Sequence, residues 1–223
     1  MSTSSESVEA STAVVTVAHG QHHQLALLHK SLSVGDHLPD LVVIVAVDDS
    51  KLISWEPERG VPVEVIPMSR TADGPPLAAA FNAGAVVGLA HGADVLVFLD
   101  QRCVADDKLV AVLSAAVRRQ PDALWCGVAT RLGPPPEAGY DLETVIEEHT
   151  DSSPVGDADL APAQVEPAAF AIARETWARL RGFDEAHVGS AVLDLARRAQ
   201  DAGLHLRAVD DARVWLQQGS EQP

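Results

Sequence analysis

The segment FLDQRC (98–103) closes an apolar run with a carboxylate, Asp100, and sets a guanidinium two residues later, at Arg102. Carboxylates at the end of a buried strand can hold a hard divalent cation through their oxygens. A cation at the next alternate position opposes that chemistry. A unit-charge pair at about 4 Å and an effective dielectric of 20 is worth roughly 4 kcal/mol, so an Arg in place of a ligating anion works heavily against a dication. Arg102 can instead pair with Asp100 or Asp106. Two further polar clusters follow apolar runs: HGQHH (19–23), with His19, His22 and His23, and DDS (48–50), with Asp48 and Asp49. The three imidazoles offer either a soft metal site or an ordinary polar loop. Later in the chain, GFDE (182–185) carries Asp184 and Glu185, within reach of an acceptor or in an exposed turn. Asp194 is a candidate general base if its helix begins at the rim of the site, and otherwise a solvated helix residue.

The elements that must position these groups alternate. STAVVTVAHG (11–20) reads as a first strand, and QLALLHKSLSVG (24–35) as a short helix ending near Gly35. DLVVIVAVDDS (40–50) is a continuous apolar run, as expected of a strand covered on both faces. VPVEVIPM (61–68) alternates between prolines and reads as an edge strand. The spacing then predicts a helix over 75–92, a strand over 93–100, a helix over 106–120 and a strand over 123–132. Residues 133–162 break the alternation with an acidic, Pro-rich excursion holding one short helix. A strand and helix over 165–183, an amphipathic helix over 192–204 and a closing strand from 204 complete the chain. This order predicts an α/β three-layer sandwich with a mostly parallel central sheet. In such sheets ligands sit beyond the carboxyl ends of the strands, where His19, Asp48, Asp49, Asp100 and Arg102 fall. No phosphate-binding glycine fingerprint follows the first strand, which argues against dinucleotide and P-loop binding.

The 223 residues suffice for one domain, expected over 12–218 behind a disordered leader at 1–11. A net charge of −16, with no Lys/Arg cluster, disfavours nucleic acid and anionic lipid as partners. No apolar run approaches the roughly 20 residues of a membrane span. The polar, acidic start lacks the features of a secretory signal, so the expected location is cytoplasmic, with Cys103 and Cys126 as buried thiols. Trp125, Trp177 and Trp215 read as core, whereas Trp55 sits in a polar loop from which it could stack on a base or sugar.

The order of these pieces resembles the family 2 glycosyltransferases, whose fold is called GT-A. The resemblance spans about residues 12–215 and is most specific in LAAAFNAGA (77–85), ADVLVFLDQRC (93–103) and FAIARETWARLRGFDEAHVG (170–189). It implies that Asp48 and Asp49 contact the nucleoside of a nucleotide-diphosphate sugar. Of the family's Arg-Asn-x-Gly helix start, Asn82 and Gly84 match, but Phe81 replaces the Arg. Of its Asp-x-Asp metal motif, Asp100 matches and Arg102 replaces the second Asp. Where the family carries Gly-x-Gly-x-Glu-Asp, VGSAVLDL (188–195) retains only Asp194, and the closing ARVWLQQ lacks the family's metal-completing His.

The resemblance therefore implies a nucleotide-sugar transferase, inverting, with His19, Asp48, Asp49, Asn82, Asp100 and Arg102 on the donor. Asp194, Asp184 and Glu185 would face an unidentified acceptor. The manganese or magnesium typical of the family is disfavoured by Arg102, so no cofactor is expected. The alternative is a catalytically inactive homologue that acts through a protein partner or as a homodimer, with the 133–162 excursion as a docking element. A nucleotidyltransferase is a third reading, poorly matched by HGQHHQ after the first strand.

Overall fold

The computed structural model describes residues 11–55, 60–72, 74–149, 157–187 and 190–218. The leader, apart from Ser11, and residues 150–156 of the excursion lie outside them.

The N-terminal half is built from strands whose apolar runs are buried on both faces. In order these are β1 (Thr12–Ala18), α1 (His22–Leu32), β2 (Leu41–Val47), the single-turn α2 (Ser50–Ile53), β3 (Val63–Met68), α3 (Leu77–Ala90) and β4 (Val95–Asp100). Every residue of β2 is buried. β3, β2, β1 and β4 lie side by side in parallel, with β3 on the edge. The prolines at 62 and 67 and the half-exposed Glu64 blunt that edge against further pairing.

The second half comprises β5 (Cys103–Ala105), α4 (Leu109–Arg119), β6 (Ala123–Arg131), α5 (Leu142–His149), β7 (Ala158–Asp159), a 3₁₀ turn at Pro162–Gln164, β8 (Ala169–Ala173), α6 (Arg174–Leu180), α7 (Ala191–Asp201) and β9 (His205–Leu216). β8 inserts antiparallel between β4 and β6, and β9 runs parallel to β6 around a bulge. Three short elements escape the sequence pattern: α2, β5 and β7. Each has four residues or fewer, too short to show a period.

Alternate side chains of the sheet feed two apolar layers. Val14, Ile44, Val97 and Leu99 face α1 and α4. Ala13, Val15, Val43 and Phe98 face α3, α6 and α7, around a ring cluster of Phe81, Phe98, Phe170, Trp177 and Phe183. The result is helices on both faces of one sheet. Within the excursion, α5 is the single short helix expected, and its Leu142 and Val145 cover Val104, Leu132 and Trp215. Trp55 does not stand free in its loop: it packs on the first layer, edge-on to His29 with ring centroids 5.4 Å apart.

Candidate functional site

The parallel strands deliver their carboxyl ends to one rim. After β1 the chain takes the left-handed conformation at Gly20 (φ 63°) and Gln21 (φ 50°), and after β2 at Asp48 (φ 49°). Left-handed residues other than Gly are uncommon and concentrate where structure is held for a purpose. His19 links three strand ends. Its Nδ1 donates to the carbonyl of Val47 at 2.8 Å, and its N–H donates to Gln101 Oε1 at 3.1 Å. A carbonyl only accepts, so Nδ1 carries the proton and Nε2 is left as the acceptor that meets a guanidinium N–H of Arg70. Arg70, beyond the end of β3, also approaches Asp48 at 3.8 Å.

Asp49 is engaged. Its Oδ2 accepts from His22 Nε2 at 2.7 Å and from the Gly20 N–H at 2.9 Å. Burial alone would raise this carboxyl, but the bonds from His22 and Gly20 outweigh it and hold Asp49 below its ordinary value. His22 thus turns to Asp49 and His19 to Val47 and Arg70, while His23 is exposed. The imidazoles of HGQHH diverge, and no group of three or more His, Cys, Asp or Glu among the described residues could hold a metal ion. Asp48 and Asp49, with Ser50, Ile53, Pro67, Met68 and Ser69, line a cleft of about 510 Å³ between the ends of β2 and β3. That volume lies within the range of small-molecule sites.

At the end of β4 the arrangement is closed. Arg102 donates through Nε to Asp100 Oδ1 at 3.0 Å and through a terminal nitrogen to Oδ2 at 2.8 Å, and its backbone N–H donates to Oδ1 at 2.9 Å. Both carboxylate oxygens are used. The hydrogen bond to Asp100 is the main reason the guanidinium is held above its ordinary value. The guanidinium forks onto Asp100 and not onto Asp106.

The remaining candidates form a second group. Asn82 accepts from the Phe183 N–H at 2.9 Å and donates to the Phe183 carbonyl and to Glu185 Oε1, at 3.0 and 2.8 Å. Two glycines make this contact feasible. A side chain at Gly84 would overlap Val15 beneath α3, and a Cβ at Gly182 (φ 66°) would lie 2.6 Å from Asn82 Oδ1. Asp184 is exposed and accepts from the Ala186 N–H. Asp194, in the first turn of α7, accepts from Arg198 Nε at 2.7 Å and lies 3.7 Å from His187. Arg198 in turn donates to the carbonyls of Leu180 and Gly182. Among the described residues no hydrogen bond or ion pair joins this group to Asp48, Asp49 or Asp100. Asn82 acts as a brace for the 182–185 turn, and Phe81 is a member of the ring cluster, 5.6 Å from Phe98 and from Phe183. Directly after the closing strand, the Gln217 N–H donates to the Arg102 carbonyl.

No family model matches the sequence, and no curated protein sequence does. Solved structures do match. One is GalNAc-T7 with UDP, GalNAc and Mn2+, at 17% identity and TM-score 0.63 over 97% of this chain. A second is S. aureus TarS 1–349, at 11% identity and TM-score 0.64 over 93% of this chain.

The fold is GT-A.

Identities this low carry the architecture alone. The chain spans 45% of the GalNAc-T7 structure and 60% of the TarS fragment. Within this GT-A fold, two residues missed by sequence reading, Arg70 and Gln101, hold the rim together with His22, which the sequence offered as a metal ligand or a loop residue and which binds Asp49. The signal of the two missed residues was position, just after β3 and β4, rather than any motif.

Proposed function

We propose that this chain is a glycosyltransferase-like protein of the family 2 type, which binds a nucleotide-diphosphate sugar and transfers the sugar to an acceptor without an ordinary divalent metal site. The observation that carries the reading is the open cleft beside Asp48 and Asp49, at the same rim as Asp100. The fork of Arg102 on both oxygens of Asp100 supports metal independence, since an ion there would have to displace it. In an inverting transfer the acceptor oxygen bonds the anomeric carbon as the carbon–oxygen bond to the diphosphate breaks. The diphosphate leaves with the electron pair, and a carboxylate takes the acceptor's proton. Asp194, Asp184 and Glu185 are the carboxylates proposed to face the acceptor.

Calorimetric titration with UDP, GDP and their sugar conjugates, in manganese and then in EDTA, tests the reading. Binding that survives EDTA supports it; binding abolished by EDTA defeats metal independence. The second reading, a catalytically inactive homologue acting as a binding or partner protein, is favoured by the engagement of Asp194 with Arg198. Donor binding with no sugar transfer or donor hydrolysis would select it.

A further inference from the structure

Resting on the donor-binding reading, we infer that Arg70, oriented by His19, is the group that receives the diphosphate, and that Arg102 is not. A bound nucleotide diphosphate meets Asp48 and Asp49 at this rim, beside an Asp100 already paired with Arg102, on a chain of net charge −16. Binding therefore needs a cation whose donors are not already spent. Arg102 fails that condition, because a phosphate would first have to open two side-chain bonds to Asp100. Arg70 meets it. Its ionic neighbour among the described residues is Asp48, at 3.8 Å through Nε, beyond hydrogen-bond range. Its side chain is 39% exposed.

Strand order gives the position. The cleft lies at the ends of β2 and β3, and Asp100 lies at the end of β4. β1 separates them, in the order β3-β2-β1-β4. Arg70 begins beyond β3, yet one of its terminal nitrogens reaches His19, beyond β1. Arg70 follows Ser69, which lines the cleft, and its guanidinium meets His19 at the end of β1, on the side of the cleft that faces β4. His19 is fixed for this role: the Val47 carbonyl sets its tautomer, and Nε2 holds one Arg70 N–H while Nε of Arg70 stays 3.8 Å from Asp48. A fork of this kind matches phosphate oxygens in pairs.

Lys51, an exposed cation of α2 next to the cleft-lining Ser50, serves as the control, and the experiment compares the full chain with Arg70→Gln, Arg70→Lys, Arg102→Ala and Lys51→Ala, titrated with uridine, UDP, guanosine and GDP. Loss of a charge-assisted hydrogen-bonding partner weakens binding about 10- to 100-fold. Arg70→Gln is expected to weaken the diphosphate by that factor and leave the nucleoside within about twofold. Arg70→Lys restores part of the loss, and Arg102→Ala and Lys51→Ala change little. A diphosphate affinity that ignores Arg70→Gln and falls in Arg102→Ala or Lys51→Ala overturns this inference and leaves the donor-binding reading intact. If neither diphosphate binds the unaltered chain, that reading fails and takes this inference with it.

Discussion

The ends of β2 and β4 are two points on one rim of the sheet, separated by a single strand, and each presents acidic side chains. At β2, Asp49 is bound by an imidazole and a backbone N–H, and beside it lies a cleft of about 510 Å³. At β4, Asp100 is bound by a guanidinium two residues away, and both of its oxygens are used. The β2 carboxylate is held by a partner from another element, so it shapes a space between elements. The β4 carboxylate is held by its own strand end, so its charge is cancelled locally. Acidic residues at adjacent strand ends thus acquire opposite roles from where their counter-charge originates.

Replacing Asp49 with Ala should break the comparison most strongly. It strands His22 and the Gly20 N–H, and the expected loss is about 2–4 kcal/mol by urea denaturation, with loss of nucleoside binding. Next in size is Arg102→Asp, which should convert the closed strand end into one that accepts a divalent ion. Manganese at ten to a hundred times its Kd should then stabilise the variant by about 1–3 kcal/mol in thermal melts and leave the parent unmoved. Arg102→Ala should cost under about 1 kcal/mol, because the fork is partly solvent-exposed and screened. A similar loss from Asp49→Ala and Arg102→Ala would erase the distinction between the two strand ends.

Acid titration sharpens the comparison further. Asp49 is held below its ordinary value of 3.8, so its contribution is present above that value and fades as pH falls through the folded one. The stability gap between the parent and Asp49→Asn should therefore narrow below about pH 4. Asp106 has the opposite sign. Burial, with Asp107 beside it, pushes its carboxyl up, so the folded state binds the extra proton and stability falls as pH rises past 3.8. Asp106→Asn should melt higher than the parent at pH 7 and show no advantage at pH 3.

Much of the architecture was legible because its signals are local. The continuous apolar run 41–47 and the Ala-rich segment 77–90 carry their signals in local composition and length, and both became the expected elements. The convergence of polar residues at strand ends follows from parallel order alone. The pairings within that convergence were not legible. His22 could have joined His19 and His23, and Arg102 had Asp106 as an alternative partner. Arg70 lay in a loop with no motif, and Asn82 carried a ligand's signature while serving the 182–185 turn.

By itself the sequence determined the alternation of strands and helices, the two-sided burial of the sheet and the rim at which chemistry would gather. These depend on local runs and periods of apolar residues, which neighbours along the chain set. Only the tertiary structure decided that β8 enters antiparallel between β4 and β6, that Asp49 belongs to His22, and that Arg102 turns inward to Asp100 while Arg70 crosses to His19. Each of those is a choice among partners of similar chemistry, and distance in the folded chain, rather than residue type, makes it.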